Sequence, residues 1–506
     1  LDVDKMWRNQ VKWSKRGGRE ISEEEAEIRV MNSFLWIFSQ TEGNYNYSSG
    51  SRGKFNISSQ SNPYFLFPEL YNFRYNIFSS EWPVANRVIE LYLQKKSENG
   101  GWERQINGIS NNEKAVLLLE KRTFKELLVD MELRNLQNNI VGQEASRLFA
   151  RAEINMGVEA FRDSLYSLLK RNTFLNIKFE NMLDTLGEIS RTDIRSLLGE
   201  WEKTTPLPFY SLGEPTLTKI TNKGGEEFFV LKMLISNNSD YDGIIHMDIR
   251  KDGWWYQPLE DPSAKTKIEM PAHTSKEFVS VWEDQIRNVE INTMVSGNLP
   301  NIISQDINNV KQERNKIVKD SIYILPESSF DLPGEIIVDN EDSTLFILSA
   351  PPIVGLLPKW LDEVEETPFK YSGISWWRPP LQWTATTNDR YYGKYIRSAF
   401  VIKSGDGSQT ATWKVPVPEV GQYDLYYHVF KDDELRWNNN LQGEYHFKVK
   451  YGSEVEDAYV NLRKANEGWE QLGSYYFDSD TIRVVLTDEC KLRSVTADAV
   501  KIVKRY

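Results

Sequence analysis

Residues 411–430 read ATWKVPVPEVGQYDLYYHVF, and this stretch decides the fold of the C-terminal third. Two β-favouring runs, 411–415 and 423–430, are separated by Pro416, Pro418 and Gly421, which stop one strand and open the next. Working outward, runs at 335–339, 344–348, 445–451, 458–462, 473–477, 481–486 and 497–503 carry the same signature. Together they make eight or nine strands, enough for one sandwich over 333–506. Upstream, 301–332 is rich in Asn, Gln, Lys and Glu and reads as a connector with one poor helix at most. Runs at 216–220, 228–235, 244–250, 266–270 and 278–282 predict a small β-sandwich over 206–300.

The first 205 residues read as mostly helical. Ser22 with Glu25 forms a capping-box start, and Ile28, Met31, Phe34, Leu35 and Phe38 follow at helical spacing, so a helix is expected over 22–40. Pro83 opens a second helix, and others are expected over 113–136, 143–170 and 193–201, the last with Thr192 as N-cap. The fold class is therefore α+β multidomain: a helical N-terminal region, a small β-sandwich and a C-terminal β-sandwich accessory domain. A chain of 506 residues is long enough for several cores.

Composition narrows the function. The net charge of −12 opposes a phosphate backbone, and the basic cluster from Lys12 to Arg19 runs straight into Glu23, Glu24, Glu25 and Glu27, so nucleic acid is not expected as a partner. The single cysteine, Cys490, excludes an internal disulfide and a cysteine-based zinc site. His246, His273, His428 and His446 fall in no HExxH, HxH or HxxxH pattern; each lies in or beside an expected strand and reads as a hydrogen-bonded structural imidazole. There is no GxSxG elbow, no phosphate loop and no GxGxxG after a strand, so no complete catalytic motif and no cofactor is expected. No run approaches a membrane span. Residue 1 is Leu rather than Met, so the start reads as trimmed, either by processing or because the chain is part of a longer polypeptide.

The chain is rich in aromatic residues, with 16 Trp, 24 Tyr and 23 Phe, which suits broad contact surfaces as well as cores. Trp376, Trp377 and Trp383 lie in GISWWRPPLQW, followed by Tyr391 and Tyr392. Pro379 and Pro380 forbid a central strand there, so these five rings are the candidate ligand-binding residues, for a glycan or a protein partner. The alternative is that they cap one end of the sandwich core. Asp339 and Asp342, in the run Asp339, Asn340, Glu341, Asp342, are candidate oxygen ligands for a structural Ca²⁺, with a solvated strand end as the plainer reading.

Several stretches carry a family resemblance. EIIVDNED (335–342), WTATTNDRYYGKYIRSAF (383–400), the G-x-Y entry at Gly421 and Tyr423, the GW-x-x-LG-x-Y-x-F run from Gly468 to Phe477, and ADAV at 497–500 resemble the golvesin C-terminal-like domain, also called the xanthan-lyase carbohydrate-binding-like domain. The resemblance spans most of 333–506, apart from an insertion at 354–371, and implies a β-sandwich accessory module with carbohydrate binding inferred for the family. Residues 157–201, followed by a β region ending in VEINTMVSGNLP (289–300), resemble the helical and β parts that follow the catalytic motif of gluzincin-type zinc aminopeptidases. The metal motif itself is absent, so no catalytic residue carries over. Bacterial permease–peptidase fusion proteins have a similar order, with transporter helices ahead of the peptidase-like region. The resemblances together imply a non-catalytic, extracytoplasmic bacterial chain, periplasmic or at the cell surface, that is membrane-associated only through sequence upstream and serves recognition or assembly. The rival readings are the C-terminal part of an active gluzincin-like peptidase with its zinc residues elsewhere, and a glycan-active enzyme using two carboxylates.

Overall fold

The computed structural model describes Arg8, Ser22 and residues 76–93, 101–173, 175–221, 224–251, 257–259, 261–307, 309–314, 318–326, 334–349, 369–375, 378–431 and 443–505. The chain divides into two compact units, the first Leu1–Glu98 with Leu128–Gly199 and the second Asn99–Leu127 with Glu200–Tyr506. The architecture is mostly β-sheet with several sheets and a smaller set of helices, ending in a β-rich domain. Among the described residues no helix is long and apolar enough to cross a membrane.

The first unit is helical. A short parallel pair, β1 (Asn76–Phe78) with β2 (Asn176–Lys178), accompanies helices Ala85–Leu93, Gln137–Met156, Val158–Arg171 and Phe179–Ser190. Gly157 at φ 86° ends the long helix and starts the next, so the single helix expected over 143–170 is two. Tyr92, Phe149 and Phe161 meet at its centre, Tyr92 lying 4.7 Å from Phe149 and 6.0 Å from Phe161. The Tyr92 hydroxyl donates to Glu153 at 2.8 Å, and burial together with that carboxylate pushes the phenol pKa well up. The helix expected over 22–40 lies outside the described residues.

The second unit begins with helices Gly101–Asn107, Asn111–Lys121 and Phe124–Leu128, which break up the helix expected over 113–136. Its first β-sandwich runs from β3 (Tyr210–Leu212) through β4 (Thr216–Thr221), β5 (Glu227–Asn237), β6 (Gly243–Lys251), β7 (Gln257–Pro258), β8 (Lys265–Met270), β9 (Thr274–Trp282), β10 (Ile286–Asn292), β11 (Ile302–Asp306) and β12 (Val310–Arg314) to β13 (Ser321–Pro326). One sheet is ordered β11-β10-β6-β7 with β8 beside β6; the other is β12-β4-β5-β9-β13 with β3 beside β5. Leu231, Met233, Ile245, Met247, Val289 and Ile291 fill the core.

The stretch 301–332 is therefore not the expected polar connector: β11, β12 and β13 lie in it and belong to these sheets. All three sit at sheet edges, where one side faces water. VKQER carries no apolar alternation to read, and Ile324 of β13 is 72% exposed.

The C-terminal sandwich holds β14 (Glu335–Val338), β15 (Phe346–Leu348), β16 (Thr384–Thr387), β17 (Ser398–Lys403), β18 (Thr410–Pro416), β19 (Gly421–Val429), β20 (Glu444–Tyr451), β21 (Glu454–Asn461), β22 (Gly468–Phe477), β23 (Thr481–Thr487), β24 (Ser494–Ala497) and β25 (Val500–Lys504). Its sheets are ordered β14-β25-β19-β22, β15-β18-β23-β20-β21 and β16-β17-β24. Along β19 burial alternates, with Tyr423, Leu425, Tyr427 and Val429 inward, packing with Trp413, Phe447, Val484 and Ile502.

Both sandwiches and the helical hairpin of this unit meet around one carboxylate. Glu113, 1% exposed, closes a capping box with Ser110, accepting from its N–H at 2.6 Å while the Ser110 hydroxyl accepts from Glu113 N–H. It also accepts from Arg104 Nε at 3.0 Å and from Asn301 N–H, just before β11, at 2.8 Å. Beside it, Thr387 of β16 donates to the Gly108 carbonyl at 2.6 Å, and Leu299 exchanges main-chain bonds with Tyr395 and Arg397. Ile109, Leu299, Tyr371 and Ala385 seal the junction. Gly108, at φ 80°, is required there: a Cβ would stand 2.4 Å from the Ser372 nitrogen.

Removing a buried carboxylate with three partners leaves uncompensated donors. Glu113→Ala is expected to cost about 3–5 kcal/mol in urea unfolding. A loss under about 1 kcal/mol, the range of an ordinary helix cap, would mean the junction does not depend on it.

Candidate functional site

The face of the β14-β25-β19-β22 sheet turned away from the core is built by the same alternation. Register pairs Ile337 with Lys501, Lys501 with Tyr426, and His428 with Trp469, so these side chains share that face, all half-buried. Tyr392 joins them from the loop between β16 and β17. Its ring centroid is 5.0 Å from Trp469 and 5.7 Å from His428, and His428 is 5.2 Å from Trp469. The Lys501 ammonium lies 4.9 Å from the Trp469 ring and 5.4 Å from Tyr426, and is held by Glu335 at 3.0 Å.

Asp498, wholly buried between β24 and β25, orders this cluster. Its carboxylate meets His428 Nδ1 at 2.8 Å and accepts from the Tyr392 N–H at 3.1 and 3.2 Å; its carbonyl accepts from the Trp413 indole at 3.1 Å. Burial raises the Asp498 pKa, opposed by His428, the Tyr392 N–H and Arg397. With Nδ1 engaged, His428 presents Nε2 beside two rings, with no partner among the described residues.

The residues singled out from sequence fall in different places. Trp376 and Trp377 lie outside the described residues. Trp383 is half-buried against the C-terminal core, and its indole N–H has no acceptor among the described residues. Tyr391 is 6% exposed, its ring 4.6 Å from Phe430, so the structure places it inside rather than on a presented loop; of the described candidates only Tyr392, the next residue, reaches the cluster. His428, Asp498, Trp469 and Lys501 were not in that set. The GW and ADAV runs contain Trp469 and Asp498, but only strand register sets them beside His428.

Asp339 and Asp342 form a turn in which Asp342 Oδ2 accepts from the Asp339 N–H at 2.9 Å. Among the described residues no three His, Cys, Asp or Glu side chains gather as for a metal ion. Burial raises the Asp339 pKa well above the ordinary carboxylate value, with further upward pushes from Asp498, Glu341 and Asp342.

The native state therefore holds a proton on Asp339 more tightly than the unfolded chain does. That contribution to stability is full below the unfolded carboxylate pKa of about 4 and is lost as pH rises through the raised native value. Asp339→Asn is expected to melt above the parent at about pH 7, with the gap closing towards about pH 4; a gap that widens on acidification would contradict the assignment. The faces of the sheet separate two tryptophans in the same way. Trp413→Ala should cost about 3–5 kcal/mol in chemical denaturation and Trp469→Ala about 1. Equal losses would place Trp469 in the core.

No curated protein matches the chain. Among solved structures, a Bacteroides uniformis beta-glucuronidase is 11% identical over 63% of this chain and 32% of its own, with a TM-score of 0.18. Bacteroides uniformis beta-glucuronidase 2, covalently bound to cyclophellitol-6-carboxylate aziridine, is 11% identical over 69% of this chain and 38% of its own, at 0.17. The chain thus spans about a third of the length of these structures, and at such scores no shared architecture follows. Residues 379–504, which carry β16 to β25 and the ring cluster, match the family model of the Golvesin C-terminal domain.

Proposed function

We propose that residues 333–506 act as a carbohydrate-binding-like accessory module. It would be carried on a non-catalytic extracytoplasmic chain, at the cell surface or in the periplasm of a bacterium, whose role is recognition or assembly. The helical region over 1–205 and the sandwich that follows it are the scaffold in this reading. Their likeness to the post-catalytic part of gluzincin peptidases rests on sequence resemblance alone. The observation that carries the proposal is the Tyr392–His428–Trp469 cluster inside the stretch that matches the Golvesin C-terminal domain.

The chemistry suits a sugar. A pyranose offers an apolar C–H face to an aromatic ring and hydroxyls to a directional polar atom, here His428 Nε2 fixed by the Asp498 bond at 2.8 Å. The basic side chains of this face are already matched: Lys501 with Glu335, Arg505 with Asp424 at 2.8 Å, and Arg390 with Glu467. Stacking and hydrogen bonding, rather than net charge, are then left to drive contact.

The test is retention of the whole chain on a panel of immobilised bacterial and plant polysaccharides. The parent should be retained on at least one, with about a tenfold loss for Trp469→Ala and a melting temperature lowered by only about 2–4 °C. A parent chain that flows through every polysaccharide and binds no soluble oligosaccharide would overturn the glycan reading.

A further inference from the structure

The cluster's geometry limits what it can hold. The ring centroids stand 5.0, 5.2 and 5.7 Å apart, which is ring-to-ring contact, so no sugar fits between any two. The planes are inclined by 59° between Tyr392 and each of its neighbours and by 77° between His428 and Trp469, so no two rings share a surface on which consecutive sugars could lie. Among the described residues the aromatic face is also interrupted beside the cluster. Between Trp469 and Tyr426 stands the Lys501 ammonium, anchored by Glu335 on the neighbouring strand β14. Among the described residues this leaves one stacking place beside His428 Nε2.

We infer that the site takes a single pyranose residue, the terminal unit of a soluble glycan, and not a run of an extended polysaccharide. This rests on the glycan reading above and narrows it. A pyranose stacked on one ring, with one hydroxyl bonded to His428 Nε2, uses the geometry that the described residues present. Lengthening the glycan adds sugars that touch nothing in it, so affinity is independent of chain length.

Saturation-transfer NMR on the full chain, with methyl pyranosides and soluble oligomers of two to six units, reads this directly. The expected result is saturation confined to one sugar unit and an affinity that stays within about twofold along the series. Trp469→Ala and Tyr392→Ala should each weaken it by about tenfold, and Tyr392→Phe, which keeps the ring, should not. Saturation spread over consecutive units, affinity rising about tenfold from dimer to hexamer, or retention on immobilised polymer without binding of any soluble oligomer would each overturn the inference while leaving the glycan reading standing. Oligomer binding untouched by both alanine variants would move the site elsewhere. Failure of the parent to bind either soluble or immobilised glycan would remove both.

Discussion

The second unit depends on the buried carboxylate of Glu113. A charge withdrawn from water is tolerated only when its oxygens are fully engaged, and here three donors from separate segments engage it: the Ser110 N–H, Arg104 Nε and the Asn301 N–H. The capping box alone would need only the first. The other two tie the helix before it and the strand that opens the edge of the first sandwich to the same point. Thr387 then binds the carbonyl of Gly108, five residues back along the chain, and brings the C-terminal sandwich to the junction.

Asp498 plays a related part inside that sandwich. It sits in the short break between β24 and β25, where its carbonyl is free of the ladder and accepts from Trp413 in the core, while its carboxylate points the other way, to His428 and the Tyr392 N–H. Core and outer face are thereby referenced to one residue. This bond holds the Tyr392 main chain, its ring packs on His428 and Trp469, and the Nδ1 contact orients the His428 ring.

How much of this was legible in the amino-acid order depends on the range of the interaction. Strands inside the sheets announced themselves, because half-buried strands must alternate and the turn residues between them are local. The connector expected over 301–332 was misread because its strands are short and separated by polar residues, and VKQER offers one apolar side chain and no alternation. Helix breaks at Gly157 and after Lys121 depend on single residues and lie within a turn or two of what periodicity indicates.

By itself the sequence determined the α+β class, the β-rich C-terminal third and its golvesin-like character, since these rest on period and on motifs within one or two strands. It could not separate Tyr391 from Tyr392, because two adjacent rings of identical chemistry are sorted by contacts distant in sequence, Tyr391 buried against Phe430 and Tyr392 half-buried with its N–H on Asp498, 106 residues away. Nor could it find the pairing of His428 with Trp469, which strand register alone creates. The capping box at Ser110 and Glu113 is a local signal; its use as the junction of two sandwiches was decided by tertiary structure, because burial makes a carboxylate collect every donor within reach.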